Sequence, residues 1–167
     1  MGHQTPSNSS LHIGWQEWCA LPKLHLPAIK AKIDTGAKTS VLHAADIHPF
    51  HRRGKEYVQF IVHPIQRSLK YPVPCTALVI DRRTIMNTGG SQETRYIILS
   101  TLVLGEKTWD IEISLTNREL LSFRLLLGRD ALKNTIIEPG KTLLQGKIKP
   151  KTLANLYTKH HRKNHHA

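Results

Sequence analysis

The chain is poor in several things, and each shortage narrows what it can be. It has two cysteines, Cys19 and Cys75, and both fall in apolar, strand-like runs. Buried free thiols are therefore the expectation, rather than a disulfide framework. No window approaches the ~18 consecutive apolar residues that a membrane-spanning helix needs. The first ten residues are polar and lack the apolar stretch of a signal peptide, so cytoplasmic residence with no membrane partner is expected. There is no Gly-x-x-x-x-Gly-Lys-Ser/Thr loop to cradle nucleotide phosphates and no His-Glu-x-x-His to hold zinc. Acidic residues are scarce, 12 Asp and Glu against 24 Lys and Arg, for a formal net charge of +12. Aromatic residues make up only 6% of the chain.

What remains is ordinary globular material. The chain has 167 residues, of which 40% are hydrophobic, enough for one domain with a sizeable core. From Lys147 onward there are six Lys and Arg and no Asp or Glu, which leaves +6 on residues 1–146. The expected organisation is a flexible leader (1–10), one folded domain (11–146) and a basic, largely disordered tail (147–167), with at most a helix at 152–157. Four of the eleven histidines (His160, His161, His165 and His166) lie in that tail. The pair His48/His51 flanks Pro49, so a regular helix is not expected there.

Short alternating runs dominate the rest. His12–Ala20, Ala28–Ile33, Tyr57–Val62, Ala77–Ile80, Arg95–Leu104 and Thr108–Leu115 read as strands, and Thr39–Ala44 as a strand or turn. Pro49–Lys55 reads as a polar connection, Asn87–Ser91 as a hairpin turn and Pro139-Gly140 as another. One short helix could start at Asp130–Asn134, and Thr135–Ile137 and Thr142–Leu144 flank the last turn. Many short strands separated by turn residues predict an all-β fold, barrel or sandwich-like. Trp15, Trp18, Trp109, Tyr57 and Phe60 follow the strand pattern and read mainly as core.

The richest local signal is Asp34-Thr35-Gly36. Ile29, Ala31 and Ile33 alternate with Lys30 and Lys32, so a strand leads into a carboxylate, a small hydroxyl residue and a glycine. A second segment, Leu125-Leu126-Leu127-Gly128-Arg129-Asp130, supplies an apolar triplet followed by Gly-Arg. A strand that delivers an aspartate into a tight glycine turn is how an aspartic protease presents its catalytic carboxylate. Such chemistry needs two carboxylates a few ångströms apart that share one proton. None of Asp46, Asp81, Asp110 and Asp130 is followed by Thr-Gly or Ser-Gly. The second carboxylate is therefore expected from a second copy, in a homodimer with Asp34 on its two-fold axis. Gly36 would let the backbone turn close to the acid, and Ala37 is small enough to line a cleft.

These segments, with His12–Trp18 and Leu115-Thr116-Asn117-Arg118, resemble the retropepsin-like proteins often labelled "ATP-dependent zinc protease", over roughly residues 12–145. The resemblance implies a dimeric, pepsin-type β-barrel that hydrolyses peptide bonds, with Asp34 catalytic. It implies that the Thr35 hydroxyl bonds across the dimer axis, with Gly36 and Ala37 supporting the loop. It implies a structural role for Gly128 and Arg129. It also implies a flap over the cleft, placed at Thr84–Thr94 with Gly89 and Gly90 at its tip. Some members are associated with enzymes that add glutamates to a ribosomal protein, so an acidic, ribosome-associated protein tail is the implied substrate. The zinc and ATP of the label have no counterpart in the residues, and no metal or cofactor is expected.

Two departures from viral retropepsins stand out. Lys38 occupies a position where many carry an aspartate that pairs with the arginine of the Gly-Arg segment. Arg129 must then find another partner (Glu17, Asp130 or a carbonyl), and Lys38 could bring positive charge to the substrate cleft. Asp34 and Arg129 are also 95 positions apart, longer than in minimal retropepsins, with the excess placed in residues 45–80. A non-catalytic peptide- or ribosome-binding β domain is the alternative reading. Nucleic acid is not the expected primary target, because no recognised binding motif is present.

Overall fold

The computed structural model describes residues 9–86, 89–118 and 122–164. The strands are β1 (Leu11–Ile13), β2 (Gln16–Leu21), β3 (Leu26–Ile33), β4 (Ser40–His43), β5 (Ala45–Arg52), β6 (Lys55–Val62), β7 (Val73–Met86), β8 (Gln92–Leu104), β9 (Lys107–Thr116), β10 (Leu125–Leu127) and β11 (Thr135–Ile137). One helix, α1 (Pro150–Asn164), closes the described chain. The main sheet has the order β2-β3-β10-β4-β9-β8-β7-β6-β5. Its first six members close on themselves because Ala20 of β2 also pairs with Val103 of β8. The all-β closed barrel is thus present, with β7, β6 and β5 as a sheet extension leading away from it.

The interior is the apolar side of each alternating strand. Leu21, Leu26, Ile29, Leu42, Ile98, Leu102, Leu104, Ile113 and Leu115 are all essentially inaccessible, and burial of this kind is the dominant stabilising term. Cys19 and Cys75 are buried free thiols, as expected.

Several elements differ from the sequence reading, each for a physical reason. The run from His12 to Ala20 is not one strand. It breaks at Gly14, where an added Cβ would lie 2.2 Å from the Lys141 carbonyl oxygen. The piece before it pairs in parallel with β11 instead. Pro49–Lys55 is not a loop. It is largely β5, at the sheet edge, where proline's missing N–H costs no ladder bond. The polar stretch from Asp81 is also strand, because this part of β7 pairs with β8 from Asp81↔Ile97 to Met86↔Gln92. The expected helix at Asp130–Asn134 is only a 3-10 turn, Arg129–Ala131.

The tail is corrected most. The segment from 150 to 164 is a helix, not a disordered tail. Leu153 and Tyr157 sit in the core, and the Tyr157 hydroxyl donates to the Ala28 carbonyl and accepts from the Ala28 amide. Two buried side chains spaced i, i+4 hold the helix against β3 while Lys151 and Lys159 stay in water. The leader's first eight residues, Asn87 and Thr88 of the hairpin turn, and His165 and His166 lie outside the described residues.

Candidate active site

β10 lies between β3 and β4, the two strands that flank the Asp34 loop. It runs parallel to β3 (Leu127↔Ile33) and antiparallel to β4 (Leu126↔Val41). This insertion holds both ends of the loop. The Asp34 amide donates to the Leu127 carbonyl at 2.9 Å, and the Arg129 and Asp130 amides donate to the Ala37 and Lys38 carbonyls at 2.8 and 3.0 Å. The Gly128 amide donates to Ser40 Oγ at 3.1 Å. The two motifs, separated by residues 37–124 in sequence, are therefore one hydrogen-bonded unit.

Within the loop, the Gly36 amide donates to Asp34 Oδ1 at 3.1 Å. That bond orients the carboxylate through Oδ1. A Cβ on Gly36 would stand 3.2 Å from the same oxygen, so glycine gives the closest approach here. Asp34 is half-buried, while Thr35, Gly36 and Lys38 are exposed and Ala37 is half-buried. Gly128 packs tighter than Gly36, since a Cβ there would meet the Lys38 carbonyl oxygen and the Thr39 carbonyl carbon, both at 2.8 Å.

Arg129 pairs with neither Glu17 nor Asp130. Its Nη1 donates to the Thr35 carbonyl at 2.8 Å. The arginine thus clamps the backbone of the acid's own loop, which accounts for how it is used without an aspartate at position 38. Glu17 has a separate task. It is fully buried and accepts from the amides of Gly14 (2.7 Å), Leu144 (3.0 Å) and Gln145 (2.9 Å). It ties the β1–β2 turn to the segment leading into α1.

Gly89 and Gly90 are exposed at the tip of the β7–β8 hairpin. Gly90 has φ +82° and open space around it. Sequence reasoning missed the residues that anchor the arms of this hairpin. Arg83 donates from Nη1 to Thr39 Oγ1 (3.2 Å), from Nη2 to Glu112 (3.2 Å) and from Nε to Asp81 (3.0 Å). It links one arm to the chain just past Lys38. On the other arm, Glu93 accepts from Thr116 Oγ1 at 2.7 Å and from the buried Arg95 at 3.4 Å, and lies 3.9 Å from Arg118. Arg95 and Thr116 carry no motif spacing. Strand pairing brings Thr116 of β9 to Glu93, and Arg95 reaches it from two residues along β8.

No group of three or more His, Cys, Asp and Glu that could hold a metal ion occurs among the described residues. No described helix is long and apolar enough to cross a membrane.

The geometry and the comparisons with known proteins agree on a family. Residues 12–148 match the family described as RimB-like, retropepsin-like aspartic endopeptidase RimB. The chain is 43% identical over 152 residues to a probable alpha-L-glutamate ligase of Shewanella pealeana, covering 90% of this chain and 33% of that protein. It is 46% identical over 148 residues to one of Desulfotalea psychrophila, covering 88% and 32% respectively. The chain thus spans about a third of the length of the curated relatives it matches. A Legionella pneumophila protein of unknown function superposes with a TM-score of 0.69 at 29% identity, covering 82% of this chain and 99% of that one. The chain belongs to the RimB-like family of retropepsin-like aspartic endopeptidases.

Proposed function

We propose that this chain is an aspartic endopeptidase whose catalytic pair is Asp34 and the Asp34 of a second copy. The observation that carries this reading is the loop around Asp34. Its carboxylate is oriented by the Gly36 amide, and its backbone is held by the Leu127 carbonyl, by the Arg129 and Asp130 amides and by the Arg129 guanidinium. The exposure of Thr35 and Gly36 supports contact with the same loop of a partner copy through an isologous interface.

In that arrangement the two carboxylates share one proton, because both cannot be ionised at such a distance. The ionised one takes a proton from a water molecule as the water oxygen attacks the scissile carbonyl carbon. The protonated one gives its proton to the carbonyl oxygen. Collapse of the tetrahedral intermediate breaks the C–N bond as the nitrogen is protonated. The titration belongs to the pair rather than to one residue. The β7–β8 hairpin, with Gly89 and Gly90 at its tip, acts as the flap that excludes water once substrate is bound. Lys38 contributes a cation at the cleft.

The substrate we propose is a ribosome-associated protein tail rich in glutamate. Its support is the excess of positive charge together with relatives named as probable alpha-L-glutamate ligases. Those names also favour a second reading, a peptide-binding domain of the same fold that serves a ligase without cleaving anything. One experiment separates the two. Light scattering and cleavage of a peptide ending in oligoglutamate are measured for wild type and Asp34→Asn. A mass near twice 19.0 kDa and cleavage abolished in the variant support the endopeptidase. Binding of the peptide without cleavage by wild type refutes it in favour of the second reading.

A further inference from the structure

The sheet extension in residues 45–80 has no part in the chemistry above, yet it carries a distinct surface. Arg53 (φ +52°) and Gly54 (φ +74°) form the β5–β6 turn, the double positive φ of a tight hairpin. The turn places Arg52, Arg53 and Lys55 in solvent. Just behind it, Phe50 and Tyr57 are cross-strand partners. Their rings stack at 5.7 Å with a 20° interplanar angle. The Arg52 guanidinium lies over both, 5.7 Å from the Phe50 centroid and 6.0 Å from that of Tyr57. Tyr57 is thus not a core residue, unlike Phe60 in the same strand, because alternate residues of a strand face opposite sides.

The same alternation sorts the charge. Phe50, Arg52, Lys55 and Tyr57 share one face, which continues across Tyr57↔Leu78 to Leu78, exposed on β7. Glu56, the acidic residue beside them, points to the other face, where Arg82 and His51 hold it. The tip half of this face therefore carries cations and aromatic rings with no carboxylate. Asp46 lies at its far end, beside a cavity of about 270 Å³ that it lines with His48, Gln59 and Thr76.

We propose that this β5–β6 face binds single-stranded nucleic acid. The chemistry it fits is a chain of phosphates alternating with unpaired bases. Arg53 and Lys55 meet the phosphates, and bases stack on the Phe50–Tyr57 pair and on the Arg52 plane. An acidic peptide would find the cations but has no flat π-faces to match the stacked rings, so the arrangement favours bases. The site stands apart from the Asp34 loop and does not depend on the peptidase reading.

The test uses the full chain with fluorescein-labelled 12-mer oligouridylate and oligodeoxythymidylate, read by fluorescence anisotropy. Binding of either oligonucleotide supports the proposal. With two neutralised phosphates, affinity is expected to fall roughly sevenfold between 50 and 200 mM salt. Phe50→Leu with Tyr57→Leu keeps apolar area but removes the π-faces, and weakens binding about tenfold or more. Arg52→Gln with Arg53→Gln and Lys55→Gln, all at exposed positions, flattens the salt dependence. Both variants keep wild-type peptide cleavage, and Asp34→Asn keeps wild-type oligonucleotide binding. The proposal is overturned if both hairpin variants bind as wild type does, or if binding is lost only with Lys159→Gln, Arg162→Gln and Lys163→Gln in α1. It is also overturned if unlabelled oligoglutamate binds the hairpin more tightly than either oligonucleotide.

Discussion

Arg129 Nη1 donates a 2.8 Å hydrogen bond to the carbonyl oxygen of Thr35, so the Gly-Arg segment grips the backbone next to the acid rather than a side chain. A flat guanidinium reaches a carbonyl in a fixed direction, and an ammonium does not reproduce that direction. Arg129→Lys is expected to lower kcat about tenfold through lost positioning, with KM nearly unchanged. Steady-state kinetics on the oligoglutamate peptide read the split. An equal loss in KM alone would make Arg129 a substrate-binding group instead.

Gly128→Ala tests how tightly the two motifs are locked. The new Cβ would sit 2.8 Å from backbone atoms of Lys38 and Thr39, which cannot move aside like a flexible side chain. A cost of about 3 kcal/mol is expected, lowering Tm by roughly 6–12 °C. Calorimetry measures it, and a wild-type Tm would show that the loop yields.

Glu17→Gln keeps the shape of the buried carboxylate but replaces one of its accepting oxygens with a donor that would face amide N–H groups. At least one of the amides of Gly14, Leu144 and Gln145 is left unpaired, at about 2–3 kcal/mol. Urea denaturation is expected to show a lower midpoint with an unchanged m-value.

Tyr157→Phe removes a hydroxyl that both gives to and takes from the Ala28 backbone while leaving the ring packed. The expected loss is about 1–2 kcal/mol. Tyr157→Ala also opens a cavity and costs about 3–5 kcal/mol. A negligible effect of both would mean that α1 is not docked on the barrel in solution.

Burial pushes the Cys75 thiol up to about 12, well above the ordinary thiol range, and raises Cys19 as well, with the Glu17 carboxylate adding to the effect. Cys75 Sγ also donates to the Leu24 carbonyl at 3.3 Å. A raised pKa in the fold stabilises it below the unfolded value, and this stability is lost as pH rises from 9.0 toward about 12. Native protein at pH 8 is expected to leave both thiols unreacted with Ellman's reagent, and unfolding in guanidinium to release both. Rapid reaction of the native protein would refute the burial.

The legible parts of this protein were those encoded in contiguous residues. Asp34-Thr35-Gly36 announces itself because strand, acid and glycine turn are neighbours in sequence, and Leu125–Arg129 does the same. Alternation identified most barrel strands because the barrel has one dry side. The misread segments were those whose environment comes from elsewhere. β5 and the outer half of β7 look like loops because they face water and have little core side to show. The α1 helix looks like a basic tail because its hold on the barrel depends on two residues, Leu153 and Tyr157.

Composition and local pattern alone determined that the chain is an all-β domain with an acid-bearing turn and an excess of positive charge. Tertiary structure alone decided which backbone Arg129 clamps, where Glu17 buries its charge, and which face Phe50, Arg52 and Tyr57 share. The physical reason is that propensity and periodicity act over a few residues, whereas a hydrogen bond spanning 94 positions or a stacked cross-strand pair exists only once strand register has been set by packing the whole barrel.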